Sequence, residues 1–294
     1  MPIDVNKIVA IDVHAHAEKS MKDSTDEVAQ AYLDAAGEYF GGEPPQPTTQ
    51  DVADYYRERN MAAVVFTIDD ESGIGRHHVP IEEVAEIAAK NDDVLIPFAS
   101  VDPHKGKMGI RKAKRLIADY GVRGFKFHPS LQAFWPNDKA FYPLYEVIQD
   151  AGLIALFHSG TTGMGAGMPG GGGVKLKYSN PMCIDDVAAD FPGLDIILAH
   201  PSFPWQDEAL ATAVHKPNVY IDLSGWSPKY FPQNLIQYTN TLLKNKMLFG
   251  SDFPLITPDR WLSDFEKIDI RDDVRPLVLK ENAIKLFGLR GADA

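Results

Sequence analysis

Cysteine is nearly absent: Cys183 is the one thiol in 294 residues. No intrachain disulfide can form, which suits a reducing compartment and excludes a thiolate cage for a metal. No apolar run approaches the roughly 18 residues needed to cross a bilayer. Residues 1–12 lack a basic stretch leading into a long apolar one, so no secretory leader is expected, and the expected location is the cytoplasm. Positive charge is scarce as well. Lysine and arginine number 29 against 41 acidic residues, a net charge of −12. That balance provides no electrostatic footprint for nucleic acid and disfavours an anionic membrane surface. Tandem repeats and charge tracts are missing. No G-x-G-x-x-G turn follows the first apolar run, and no G-x-x-x-x-G-K-[ST] loop is present, so dinucleotide and nucleotide-phosphate motifs are excluded. The partner left by these exclusions is a small-molecule substrate.

What is present is an ample supply of core residues, 45% of the chain, arranged in a repeating order. Eight short apolar runs occupy residues 8–16, Met61–Ile68, Val94–Val101, Val122–His128, Leu153–His158, Leu194–His200, Val219–Leu223 and Met247–Phe249. Helical patterns lie between them: Thr48 or Thr49 to Asn60, Pro80–Asn91, Lys105–Tyr120, Asp138–Ala151, 182–190, Gln206–His215, Gln233–Lys244 and, at the end, Arg271–Phe287. Continuous rather than alternating hydrophobicity marks strands buried on both faces, as in parallel sheets. Eight such units predict an α/β fold, a closed (β/α)8 barrel of the TIM type, as one domain over residues 1–294. Residues 17–47 read as a polar insertion after the first strand, with a helix over Asp26–Ala36 and a close in Gly41-Gly42-Glu43-Pro44-Pro45.

In such a barrel the chemistry sits at the C-terminal ends of the strands. His14 and His16 end the first strand, and alternation predicts that Asp12, His14 and His16 share a face. Lys126 and His128 end the fourth, His158 the fifth, His200 the sixth and Asp252 the eighth. Five of the nine histidines thus follow apolar runs directly. Imidazoles with one carboxylate make a donor set for a single divalent cation, Zn²⁺ by preference, with Mn²⁺ or Fe²⁺ as alternatives. Such an ion acidifies a bound water from a pKa of about 15.7 to roughly 7, and a leftover His or Asp serves as base.

The ordered set Val13-His14-Ala15-His16, Phe125-Lys126-Phe127-His128-Pro129, Phe157-His158-Ser159-Gly160, Ala199-His200-Pro201 and Phe249-Gly250-Ser251-Asp252-Phe253-Pro254 resembles the amidohydrolase superfamily. It is most similar to the amidohydrolase-related branch that includes aminocarboxymuconate-semialdehyde decarboxylase. The resemblance runs from the first strand to Glu281-Asn282-Ala283. It implies His14, His16, His158 and Asp252 as metal ligands, and His200, with Asp252, as the catalytic groups. It implies a metal-dependent hydrolase in which a metal-bound hydroxide attacks an activated carbonyl, in aromatic or phenylpropanoid catabolism. An acyl-CoA of the 4-hydroxyphenyl-β-ketoacyl type is one implied substrate. The alternative is non-oxidative decarboxylation of a hydroxylated aromatic or muconate-type acid. A binding protein without activity is the third reading. A homodimer is expected by the same analogy. Lys126 reads as an unmodified amine supporting the site; a carboxylated Lys126 bridging two metals is the alternative.

Substrate contacts are expected from Arg76, Lys126, His128 and Trp226. Arg76 offers a cation for a carboxylate. Phe134, Trp135, Phe203, Trp205, Trp226, Tyr230 and Phe253 follow strands and suit a planar ligand. The glycine-rich stretch Gly160–Gly173 reads as a substrate lid or, alternatively, as a surface loop.

Overall fold

The computed structural model of the protein describes residues 2–22, 27–42 and 45–289. The eight apolar runs become eight strands: β1 (Ala10–His16), β2 (Met61–Phe66), β3 (Leu95–Ala99), β4 (Gly124–Phe127), β5 (Ile154–His158), β6 (Asp195–Ala199), β7 (Val219–Asp222) and β8 (Met247–Leu248). They pair in sequential order, every pair parallel. The last strand returns to the first. Val13 N–H donates to Phe249 O at 2.9 Å, and Ala15 bridges Phe253 in parallel. The result is the (β/α)8 barrel.

Parallel neighbours need a crossover, and helices supply it. The described helices are α1 (Glu27–Phe40), α2 (Thr49–Glu58), α3 (Glu71–Ile74), α4 (Ile81–Lys90), α5 (Gly106–Tyr120), α6 (Pro129–Gln132), α7 (Tyr142–Asp150), α8 (Met182–Asp190), α9 (Gln206–His215), α10 (Gln233–Asn240), α11 (Pro258–Phe265) and α12 (Asn282–Phe287). Local chemistry starts several of them. Thr48 caps α2 through a reciprocal pair with Asp51: the Asp51 N–H donates to Thr48 Oγ1 at 3.2 Å, and the Thr48 N–H donates to Asp51 Oδ2 at 2.9 Å. Among the described residues, no helix is long and apolar enough to cross a membrane.

Four expectations change. The single helix expected over Arg271–Phe287 is a turn, a π-helical segment at Leu277–Glu281 and then α12. The helix expected to run to Lys244 ends at Asn240. A helix not expected, α11, follows β8, capped by Thr257 with Pro258 at its first position. The insertion helix expected over Asp26–Ala36 runs on to Phe40; its expected start at Asp26, and Glu43-Pro44, lie outside the described residues.

The core has two layers. Ile11, Val13, Val64, Phe66, Phe98, Leu156, Ile197 and Leu248 form the inner layer. Val65, Phe127, Phe157, Val187, Phe249 and Trp261 belong to the layer between sheet and helices. This parity decides which polar groups face the barrel axis. On β4, Phe125 and Phe127 pack outward, so Lys126 points in and is fully buried. On β7, Val219 and Ile221 pack outward, so Asp222 points in.

Candidate functional site

On β1 the alternation breaks. The register with β2 shifts between Asp12 and Ala15, so Asp12 does not share a face with His14 as expected. Asp12 accepts from Tyr56 Oη of α2 at 2.7 Å, from Ser251 Oγ at 2.6 Å and from the Ser251 and His14 N–H groups at 3.0 and 2.9 Å. Burial raises its pKa to about 6 against those four hydrogen bonds. The bulge turns His14 and His16 into the mouth instead.

There they meet Asp252. His14 Nε2 lies 3.2 Å and His16 Nε2 3.3 Å from Asp252 Oδ1. His14, His200 and Asp252 each place one donor atom within 4.8 Å of the others. His200 and Asp252 both stand at positive φ, +74° and +71°. That conformation costs about 1–2 kcal/mol for a residue with a Cβ. For His200 it has a visible consequence: Ala199 belongs to the inner layer, so simple alternation would aim His200 outward, and the left-handed turn brings it in.

A residue not foreseen orders the imidazoles. Asp222 Oδ2 lies 2.6 Å from His14 Nδ1 and accepts from Ser224 Oγ at 2.8 Å. Ser224 Oγ also lies 3.0 Å from His14 Nδ1 and 2.9 Å from His200 Nδ1. A serine hydroxyl has one hydrogen. With that hydrogen given to Asp222, both Nδ1 atoms act as donors, and both Nε2 atoms present lone pairs to the site.

His158 is oriented from its other side. Thr161 O can only accept, and His158 Nε2 lies 3.1 Å from it, so Nε2 carries the hydrogen and Nδ1 the lone pair. His158 Nδ1 and His200 Nε2 are 3.0 Å apart. Without a metal, His200 Nε2–H can donate to that lone pair; with the hydrogen on His200 Nδ1 instead, the two nitrogens present lone pairs to one point, as a cation requires. His128 stacks on His158 at 3.8 Å between centroids.

The electrostatics set His14 apart from the other imidazoles. Burial pushes His200 down to about 4, although Asp252 pulls it up. Burial holds His158 and His128 well below the usual histidine range. Burial and Lys126 oppose protonation of His14, but Asp252 and Asp222 together hold it above its ordinary value. Asp252 stays ionised: burial works against it, and His14 and His16 outweigh that. Lys126 Nζ lies 3.2 Å from His14 Nε2, and burial lowers its pKa to about 7.

The donor set fits a divalent cation. Ligands at about 2.1 Å in a tetrahedron are roughly 3.4 Å apart, close to the 3.2 and 3.3 Å separations around Asp252 Oδ1. Nitrogen with one carboxylate suits Zn²⁺, Mn²⁺ or Fe²⁺.

The expected substrate contacts are less concentrated. Arg76 pairs with buried Asp70, with Nη2 to Oδ2 at 2.8 Å. Trp226 lies beside Phe203, centroids 5.6 Å apart, and both line a groove of about 250 Å³ with Pro201, Gln206 and Tyr230. Gly225, next to Trp226, lies against the His200 ring. Its φ is +73°, and a Cβ there would lie 2.5 Å from His200 Nδ1. Phe134 and Phe253 are buried in the outer core layer and do not form the rim. Cys183 is buried on α8.

Comparison with known proteins supplies the family and the fold. Residues 11–289 match the amidohydrolase family, and the chain belongs to it. Protein fluG of Emericella nidulans is 39% identical over 109 residues, a match spanning 34% of this chain and 12% of that protein. Among solved structures, the uncharacterised TIM-barrel protein Bb4693 of Bordetella bronchiseptica superposes with a TM-score of 0.76 at 21% identity, covering 95% of this chain and 98% of that one. The 5-carboxyvanillate decarboxylase LigW2 of Novosphingobium aromaticivorans, solved with manganese and 3-methoxy-4-hydroxy-5-nitrobenzoic acid, gives 0.65 at 14% identity, covering 98% and 100%. The 2,6-dihydroxybenzoate decarboxylase of Rhizobium gives 0.66 at 14%, covering 99% and 100%. At these identities the likeness establishes the shared fold.

Proposed function

We propose that the chain is a metal-dependent enzyme that breaks a carbon–carbon bond at a carboxyl or carbonyl carbon of a hydroxylated aromatic substrate. The observation that carries this reading is the convergence of His158 Nδ1 and His200 Nε2, 3.0 Å apart, beside His14 and Asp252. His14, His16, His158 and Asp252 would hold one divalent ion, with His200 left as the proton-transfer group. When bound, the ion supplies Lewis acidity towards a substrate oxygen and acidifies water.

The chain's own residues supply the rest. The Trp226–Phe203 groove takes an aromatic ring by its faces. Asp222, acting through Ser224, compensates the positive charge that His200 acquires when it takes a proton. Burial keeps water from competing for these groups.

Two reactions fit, each with one observation in its favour. Non-oxidative decarboxylation is favoured by the comparisons, since two of the similar structures are decarboxylases of hydroxylated aromatic acids. Hydrolysis of an aromatic β-ketoacyl-CoA, in which water adds to the ketone carbon and the protonated leaving group departs as acetyl-CoA to give the aromatic acid, is favoured by His200. It is tied through Ser224 to Asp222, a chain that stabilises the imidazolium formed when it takes a proton from water. The deciding experiment incubates manganese- or zinc-loaded protein separately with 2,6-dihydroxybenzoate, 5-carboxyvanillate and 4-hydroxyphenyl-β-ketoacyl-CoA. Release of CO₂ from the first two assigns decarboxylation. Formation of 4-hydroxybenzoate from the third, with heavy oxygen from labelled water in its carboxylate, assigns hydrolysis. Metal-loaded protein inert towards all three overturns the proposed substrate class.

A further inference from the structure

The segment between β1 and α2 and the loop after β5 approach each other over the barrel mouth. Helix α1 is largely solvent-facing, yet Tyr32 on it is only 6% exposed. Its Oη donates to Gly172 O at 2.6 Å. The ring lies so close to the loop backbone that a Cβ on Gly172 would stand 2.9 Å from Tyr32 Cε1. The loop is folded on itself: Gly165 has φ +81°, and a Cβ there would lie 2.2 Å from Gly171 O. These positions require glycine, and a glycine-rich chain segment loses much conformational freedom when it is held in one shape. The other end of the loop is tied to the donor set, since Thr161 O accepts from His158 Nε2. Asp70 and Arg76, from the loop after β2, both act electrostatically on the Tyr32 phenol. One hydroxyl therefore stands where segments following β1, β2 and β5 converge.

We infer that Tyr32 is the clasp of a two-part lid, with α1 and the Gly163–Val174 loop closing over the donor set and parting to admit substrate. Tyr32 is a positioning residue: it touches the loop, and the loop holds His158. The inference rests on the site proposed above, and is independent of which bond that site breaks. Closure would seal the mouth, and Thr161, anchored through its own N–H to Phe203 O at 2.7 Å, would keep its hold on His158 as the rest of the loop opens.

Tyr32→Phe removes the hydroxyl and keeps the ring. Two readouts on the metal-loaded protein test the clasp. Hydrogen–deuterium exchange of the amides from Gly163 to Val174 should speed up by roughly threefold to tenfold, the range set by one net hydrogen bond, with the barrel strands unchanged. Removal of metal by excess dipicolinate should speed up by a similar factor, with an unchanged melting temperature. Tyr32→Ala should enlarge both effects. Exchange at the wild-type rate overturns the clasp. So does acceleration spread through the strands, which would mark general destabilisation. Faster exchange with unchanged metal removal overturns the lid, because the loop would then not control access. A protein that holds no metal would count against the site instead, and loop exchange would still decide the clasp.

Discussion

Asp222 Oδ2 sits 2.6 Å from His14 Nδ1, at the inner end of β7, where both groups are buried. The contact fixes which imidazole nitrogen faces the cavity, and Ser224 extends the same control to His200. If the donors hold a metal as proposed, the carboxylate acts on its binding from behind them.

Asp222→Asn should weaken metal binding by about 10- to 100-fold, the usual cost of losing a ligand's hydrogen-bonding partner. The amide removes the charge that favours Nδ1–H on His14. Competition against a chromophoric chelator measures it. Wild-type affinity in the variant would show that His14 is oriented by something else.

His158 and His200 should separate by role. His158→Ala is expected to lose the metal, whereas His200→Ala keeps it and loses turnover by about 10²- to 10⁴-fold. The geometry makes this a demanding test, because His200 lies with His14 and Asp252 within 4.8 Å. Metal analysis of both variants reads the outcome. Retention by His158→Ala with loss by His200→Ala would exchange the two assignments.

Lys126→Met should stabilise the metal-free protein in a pH-dependent way. The folded pKa of Lys126 is lowered to about 7 from 10.5 by burial. Below pH 7 the amine is charged in both states and the full penalty applies, on the order of a few kcal/mol. Between about 7 and 10.5 the unfolded chain binds the proton and the folded chain does not, so wild-type stability rises with pH. The advantage of the variant is therefore largest below pH 7 and fades towards 10.5. Urea unfolding of both proteins across this range checks it, and a difference that stays flat with pH contradicts the burial of a chargeable amine.

Gly225→Ala should cost activity more than folding. The new Cβ would lie 2.5 Å from His200 Nδ1 at φ +73°, so His200 or the backbone must shift. Strain of this kind costs about 1–3 kcal/mol, and a displaced His200 loses its Ser224 partner. The expected result is a folded protein with strongly reduced kcat; an unchanged kcat would show that the position of His200 is not critical.

The barrel was legible because each strand lies in a mostly apolar run, the pattern of parallel strands buried on both faces. His14, His16, His158 and His200 were legible because each is a polar residue at the end of such a run or directly after it, and Asp252 because it closes the Gly250-Ser251-Asp252 turn that follows the last run. Asp222 had the same signal, closing Val219-Tyr220-Ile221, but was read as part of a strand continuing to Leu223. Asp12 was assigned to the wrong face because a bulge adds a residue without changing the apolar pattern. His200 was placed at the strand end correctly, but its inward turn depends on a positive φ that residue type does not announce. Helix α11 did carry a local signal, Thr257-Pro258 ahead of Trp261 and Phe265, a cap followed by two apolar residues four apart. Tyr32 had none, since its partner is a glycine carbonyl 140 positions away.

The central claim is that the histidines of β1 and β5 and the aspartate after β8 converge to grip one divalent ion, with the histidine after β6 beside it. Metal content of the purified protein after exhaustive dialysis tests it most directly, with Asp252→Ala alongside. The account predicts close to one equivalent of metal per chain in the wild type and almost none in the variant. Wild-type protein that retains no metal, or a variant that retains as much as the wild type, would contradict it.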